Sequence, residues 1–73
     1  MLTRTIWRLP EVMARTGLSR STIYVQIRHG TFPLQVNLGP RAVGWVANEI
    51  TDWIEARIVE SRAQEYVSSV QDA

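Results

Sequence analysis

A run of hydrogen-bonding side chains, Ser-Arg-Ser-Thr at residues 19–22, concentrates polar chemistry in a short stretch of the chain. The hydroxyl groups can donate and accept hydrogen bonds. The guanidinium of Arg20 is a planar fork of donors that suits phosphate oxygens and the edge of a guanine base. A second arginine, Arg41, follows Gly39 and Pro40 between two short apolar runs. Each arginine is either an ordinary solvated residue or a contact for a negatively charged partner.

The charges of the chain are divided between its two parts. Residues 1–45 contain six arginines and one glutamate, a net charge of +5, whereas residues 46–73 contain two arginines and six acidic residues, a net charge of −4. All eight basic residues are arginine. A codon bias would explain the absence of lysine, but it would not explain the six arginines of residues 1–45. This distribution indicates that the first part of the chain faces a polyanion.

The composition excludes several classes of protein. A length of 73 residues accommodates one small domain, and 45% hydrophobic residues are typical of a globular chain. The absence of cysteine excludes disulfides and cysteine-bound zinc, and the single histidine, His29, argues against any metal site. No apolar run approaches the roughly 20 residues that span a bilayer, and no signal peptide is recognised. We expect a soluble intracellular protein without cofactor or membrane partner.

Four acidic residues near the end of the chain invite an enzymatic interpretation. Paired catalytic carboxylates need a cleft and shifted pKa values. On the exposed face of a terminal helix, carboxylates are more simply solvating groups that keep this face away from a polyanion. We therefore expect no enzymatic activity from these residues, which are Glu49, Asp52, Glu55 and Glu60.

The residues before and after the polar run at residues 19–22 predict two helices joined by a tight turn. Pro10 suits the first turn of a helix that ends at Gly17. Ser19 is a good N-cap for a second helix over residues 20–28, and Gly30 is a typical stop signal. Two short helices joined by a glycine-containing turn form a helix-turn-helix, whose second helix enters the major groove of DNA by its N-terminal end.

The second helix is amphipathic. Ile23 and Ile27 lie four residues apart and share its buried face. At about 100° per residue, the opposite side carries Ser21, Val25 and Arg28. Val25 suits a thymine methyl group or is merely tolerated there, and Arg28 suits either DNA or the helix C-terminus. Tyr24, on the flank, either donates to a phosphate or packs on Trp7 or the following hairpin.

Two short strands are predicted after the second helix. Residues 34–38, "LQVNL", alternate apolar and polar side chains, which predicts that Leu34, Val36 and Leu38 face the core. Residues 42–46, "AVGWV", form the second strand, and Trp45 is the expected anchor to the helices. The resulting hairpin follows the recognition helix directly, as the wing does in a winged helix.

The last predicted helix begins near Asn48, which is a good cap. Its apolar stripe consists of Ile50, Trp53, Ile54 and Ile58. Beyond Val59 the stripe weakens to Ala63, Tyr66 and Val67. We therefore divide the chain into a winged helix-turn-helix domain over residues 1–59 and a helical extension or frayed tail over residues 60–73.

The segments "LPEV", "TGLSRSTIY", "FP", "LGPRAVGW" and "WI" follow one another between Arg8 and Ile54. In this order and spacing they resemble the AlpA family of prophage regulators, relatives of phage excisionases and of MerR-type DNA-binding domains. The resemblance implies a mainly α winged helix-turn-helix that binds double-stranded DNA, with a two-stranded β-hairpin wing and a C-terminal helix. It also implies a transcriptional regulator of an integrase gene, an excisionase, or both, in the bacterial cytoplasm and associated with the nucleoid when bound to DNA.

The resemblance places the recognition-helix motif and the wing tip on particular residues. Together with the outward residues of the helix, they give an expected DNA site of Ser19, Arg20, Ser21, Thr22, Tyr24, Val25, Arg28 and Arg41. The helix is expected in the major groove and Arg41 in the adjacent minor groove. Val25 and Gln35 stand where relatives often have basic residues, which predicts weaker and less salt-sensitive binding per protomer.

Such a small module buries only about 600–1,000 Å² on DNA, so we expect several copies to bind together. An integrase is a candidate partner. The alternative function is a protein-interaction module that binds an integrase or polymerase through Val59, Ala63, Tyr66 and Val67.

Overall fold

The computed structural model describes the backbone of residues 4–72 and the side chains of residues 4–64. The described chain is mainly helical, with a small antiparallel sheet whose strand order is β1-β3-β2. This architecture is compatible with a winged helix-turn-helix. In chain order, the elements are β1 (Ile6–Trp7), α1 (Leu9–Thr16), α2 (Arg20–Arg28), β2 (Val36–Gly39), β3 (Ala42–Val46) and α3 (Ala47–Asp72).

The two predicted helices and the turn between them are confirmed, and their ends have local causes. α1 ends at Gly17, whose φ of 76° is left-handed and whose N–H donates to the Met13 carbonyl at 2.8 Å. α2 ends in a Schellman motif, with Gly30 at a φ of 74°. The Thr31 N–H closes this motif by donating to the Gln26 carbonyl at 2.9 Å. Only residues 17–19 separate the two helices.

The central strand β3 connects the sheet to the helices. It pairs with β1 through Trp7 opposite Trp45, and with β2 through Val36 opposite Gly44. Strand β1 adds a third strand to the predicted hairpin. Its two residues are too few to show a strand period, so the sequence did not reveal it.

The core lies between the sheet and the three helices, and Trp45 is fully buried at its centre. The other buried hydrophobic residues of the cluster are Val12, Ile23, Phe32 and Ile50. Two indole N–H groups hold the segment after α2 against this core: Trp45 Nε1 donates to the Pro33 carbonyl at 3.1 Å, and Trp53 Nε1 to the Thr31 carbonyl at 2.7 Å. The prediction that Trp45 anchors the hairpin is confirmed.

The predicted burial of the first hairpin strand is wrong. β2 begins at Val36, and Leu34 precedes it with 69% of its surface exposed. Val36 and Leu38 are also exposed, because they lie on the face of the sheet that carries Gly44 rather than the face of Trp45. Alternation shows which residues share a face of a strand, but the helices decide which face is covered.

The prediction that Asn48 caps the last helix is also wrong. α3 begins at Ala47, directly after β3, and the Ala47 N–H donates to the Thr5 carbonyl at 2.8 Å. Along the predicted stripe, Ile50 is buried, Ile54 is half-buried and Ile58 is 37% exposed. The helix therefore leaves the core after its first two turns and continues through Asp72. None of the helices in the described part of the chain is long and apolar enough to cross a membrane.

Candidate nucleic-acid interface

The N-terminus of α2 is fixed by two hydroxyl groups. Ser19 Oγ accepts a hydrogen bond from the Thr22 N–H at 3.2 Å and donates one to Thr22 Oγ1 at 2.9 Å. Ser19 thus satisfies one of the backbone donors that a helix start leaves open. Thr22 is half-buried, whereas Ser19 is exposed. Both hydroxyls are engaged in the cap, which makes them positioning groups for the residues between them.

Arg20 and Ser21 occupy the first turn of α2 and are exposed. Val25 and Arg28 are also exposed and continue the face of Ser21 at helical spacing. The first turn therefore presents a guanidinium and a hydroxyl at the end of the helix where the backbone N–H groups favour negative charge. This arrangement can bind a phosphate or the edge of a base.

Tyr24 connects α2 to the sheet. Its ring meets the Trp45 ring edge-on, with 6.4 Å between centroids and 63° between planes. The guanidinium of Arg20 lies 6.0 Å from the centroid of the Tyr24 ring. Of the packing partners that the sequence left open, Trp7 and the hairpin, the structure places the ring on the hairpin strand. Tyr24 is half-buried, so its ring stabilises the relation between α2 and β3.

Arg41 lies at the tip of the β2–β3 hairpin. Pro40 and Arg41 form the two-residue loop, and Gly39 pairs with Ala42. Arg41 has a φ of 61°, the only positive φ of a non-glycine residue in the described chain. This left-handed conformation costs an L-residue roughly 1–2 kcal/mol. Its side chain is exposed. Strained residues of this kind cluster at functional sites.

The predicted DNA-binding residues thus lie on two elements, α2 and the hairpin tip. Trp45 connects these elements, because its ring contacts Tyr24 and its N–H binds the segment that follows α2. The sequence alone had indicated candidate DNA-binding residues on both elements. It gave the hairpin as one of two packing partners for Tyr24 but did not single out Trp45, and it did not find the Pro33 carbonyl that accepts from the Trp45 N–H, since neither contact has a local sequence signal.

The arginines differ in whether they form an ion pair within the chain. Arg15 Nε donates to Glu11 at 2.6 Å, and the Arg15 guanidinium lies 4.6 Å from the centroid of the Trp7 ring. Arg15 therefore has local partners and is set apart from the candidate interface. Arg20, Arg28 and Arg41 form no ion pair with the residues whose side chains are described. No group of three His, Cys, Asp or Glu side chains within this part of the chain could hold a metal ion.

Comparison with known proteins gives two close relatives and a family. A protein of Enterobacteria phage P4, "Uncharacterized protein ORF88", is 57% identical over 51 residues; the match covers 70% of this chain and 58% of that protein. The "DNA-binding transcriptional activator AlpA" of Escherichia coli K12 is 40% identical over 58 residues, 71% of this chain and 83% of that protein. No solved structure matches the chain. The model of the family described as "Prophage CP4-57 regulatory protein (AlpA)" matches residues 5–58, and the chain therefore belongs to the AlpA family of prophage regulatory proteins.

Proposed function

We propose that this chain binds double-stranded DNA and regulates genes of a prophage or related mobile element. α2 is the recognition helix in the major groove, and the β2–β3 hairpin is the wing, with Arg41 in the adjacent minor groove. The observation that carries this proposal is the exposed Arg20-Ser21 pair at the capped start of α2, on an element that Trp45 joins to the hairpin. The name of the E. coli relative, a DNA-binding transcriptional activator, supports it.

The residues of α2 have different roles in this proposal. Arg20 and Ser21 contact base edges, and Val25 contacts a thymine methyl group. Arg28 and the hydroxyl of Tyr24 contact phosphates, which set the register of the helix without reading sequence. Ser19 and Thr22 hold the N-terminus of the helix and add backbone N–H groups for a phosphate. Arg41 benefits from the stronger negative potential of a narrow, A·T-rich minor groove.

The biological role follows from binding and bending of DNA rather than from catalysis. We propose that the chain acts as a transcriptional regulator of an integrase gene, as an excisionase, or as both, and that it needs neither cofactor nor metal. Several copies on neighbouring sites would bend the duplex, and an integrase bound to the same DNA is the proposed protein partner. Footprints at the integrase promoter and at the attachment site distinguish the two roles.

A fluorescence-anisotropy experiment tests the DNA-binding proposal. A duplex site is first selected from a random pool, and binding is then compared with a scrambled duplex. Because a bidentate base contact is worth about 1–3 kcal/mol, Arg20→Ala should weaken specific binding about tenfold or more and scrambled binding much less. Arg15→Ala is the matched control, since it removes the same charge from a side chain that already pairs with Glu11. A uniform loss on both duplexes would assign Arg20 to a phosphate.

Salt dependence tests the alternative function, a protein-interaction module. Val59 and Ala63 of its proposed stripe are exposed on α3, and the side chains of Tyr66 and Val67 lie outside the described residues. DNA binding through Arg20, Arg28 and Arg41 releases counterions, so affinity should fall steeply between about 50 and 200 mM salt. An affinity for DNA that does not change over this range would favour the interaction module.

A further inference from the structure

An open groove of about 550 Å³ lies between the segment after α2 and the start of α3. Apolar side chains form much of its lining, and two carboxylates and one amide complete it. We call it the acidic groove, and its residues are Pro33, Leu34, Gln35, Val36, Val46, Glu49 and Asp52. None of these residues belongs to the proposed DNA-binding set.

Two features of the acidic groove indicate that it is incomplete in a single copy of the chain. Leu34 is more exposed than any other large hydrophobic side chain in the described residues. Glu49 and Asp52 are exposed and form no ion pair with the residues whose side chains are described. The groove therefore suits a partner that brings an apolar side chain and positive charge.

The distal part of α3 has these complementary properties. A shallow depression there is lined by Arg57, Ile58, Ser61 and Arg62, which we call the α3 surface. Ile58 is exposed at its centre, because the helix has left the core at this point. Arg57 Nη2 donates to Glu60 at 2.8 Å within the helix, whereas Arg62 forms no ion pair with the residues whose side chains are described. Arg62 therefore supplies the uncompensated positive charge of this depression. The α3 surface complements the acidic groove, because it offers an exposed apolar side chain and a charge of the opposite sign.

The α3 surface cannot reach the acidic groove of its own chain. Glu49 and Ile58 are nine residues apart on one helix, which separates them by about 13 Å along the axis and by about 180° around it. The two surfaces therefore face opposite ways. Only a second copy of the chain can bring them together.

We propose that the α3 surface of one copy docks in the acidic groove of a second copy. Ile58 packs on Leu34 and Val36 of the other copy. Arg62 pairs with Glu49 and Asp52 of the other copy, and Arg57 exchanges its bond to Glu60 for one to the same carboxylates. Because the two surfaces differ and face opposite directions, the contact is heterologous and adds copies head to tail. It leaves α2 and Arg41 uncovered and does not rest on the proposed DNA binding.

Cysteine cross-linking tests the contact directly, because the chain has no cysteine of its own. Leu34→Cys and Ile58→Cys proteins are mixed without DNA and oxidised with oxidised glutathione. Disulfide heterodimers should form at least tenfold faster than from Leu34→Cys mixed with Ala14→Cys, a matched control at an exposed position of α1. A chain with both Leu34→Cys and Ile58→Cys should give a ladder of covalent multimers. Equal rates for the two mixtures would overturn the proposal.

Charge reversal provides an independent test by sedimentation at several protein concentrations. The variant E49R/D52R and the variant R57E/R62E should each self-associate at least tenfold more weakly than the native chain, because like charges then meet. The chain with all four substitutions keeps the native net charge and restores opposite charges across the contact, so it should recover self-association. Circular dichroism checks that each variant is folded. Failure of the fourfold variant to recover, with its helices intact, contradicts docking between copies.

Discussion

At the scale of single residues, Arg41 combines two properties that can be separated experimentally. Its left-handed backbone favours glycine, and its side chain supplies the positive charge of the hairpin tip. We expect Arg41→Gly to raise the free energy of unfolding by up to about 1 kcal/mol, because it relieves the strain. DNA affinity should fall in spite of this gain. Thermal unfolding and anisotropy measure the two effects on the same protein.

Arg41→Ala is the matched variant, since alanine retains a Cβ atom and therefore the strain. It should lower DNA affinity as much as Arg41→Gly while leaving the unfolding free energy within about 0.5 kcal/mol of the native value. If both variants bind DNA like the native chain, Arg41 makes no contact with DNA and is a solvated turn residue.

The two serines that flank Arg20 differ in what they contact. Ser19 Oγ binds the Thr22 backbone and hydroxyl, whereas Ser21 is exposed on the outward face of α2. Ser19→Ala should lower the free energy of unfolding by about 1 kcal/mol, the usual contribution of an N-cap. Ser21→Ala should leave stability unchanged and weaken binding only to the selected DNA site. Urea unfolding measures the stability of both variants. Equal losses of unfolding free energy would show that the Ser19 cap does not stabilise the helix more than Ser21 does.

At the scale of elements, the sequence predicted those parts of the fold whose causes are local. The ends of α1 and α2 depend on Pro10, Gly17, Ser19 and Gly30, whose effects act within a few residues. The burial of β2 depends on which face of the sheet the helices cover, and β1 exists because it pairs with Val46 and Trp45 about 40 residues later. Such causes lie far apart in the chain, and no short pattern contains them.

The positions of the candidate site residues in the fold were predictable to the same extent, whereas their contacts with DNA stay a prediction. The polar run and the hairpin tip could be found because helix caps and turns fix which side chains point outward. The Tyr24 ring had several partners that were equally compatible with the sequence, and only the packing against Trp45 decides between them. The acidic groove was not predicted, because it combines a loop with the start of α3 and exposes residues that alternation had assigned to the core.

The close approach of β1 and β3 gives a prediction for the sheet. A Cβ atom on Gly44 would clash with Cγ2 of Ile6 and lie 3.2 Å from the Trp7 carbonyl oxygen. Gly44→Ala should therefore lower the free energy of unfolding by about 1–3 kcal/mol through overpacking. Thermal unfolding measures the loss. Ile6→Ala removes the clashing atom, so the double variant should be more stable than the sum of the two single effects predicts; simple additivity would mean that the two side chains do not meet.

At the scale of the whole molecule, the basic and the acidic parts of the chain belong to two different proposed contacts. The basic residues of α2 and the hairpin tip serve the proposed DNA contact, and the acidic residues at the start of α3 line the groove proposed to receive another copy. The family match ends at residue 58, and the α3 surface includes Ser61 and Arg62 beyond that point. Removal of the distal helix therefore separates the two proposed contacts.

A chain that ends at Ile58 should retain its fold, because residues 59–64 are exposed and the buried cluster ends at Ile50. We expect its unfolding temperature to stay within a few degrees of the native value and its affinity for one isolated DNA site to be unchanged. Binding to a duplex with two adjacent sites should lose cooperativity, since Ser61 and Arg62 no longer contribute to the α3 surface. Gel-shift titrations on one-site and two-site duplexes measure both quantities. Native cooperativity in the shortened chain would mean that neighbouring copies on DNA do not use the distal helix, whereas weaker binding to a single site would place part of α3 at the DNA.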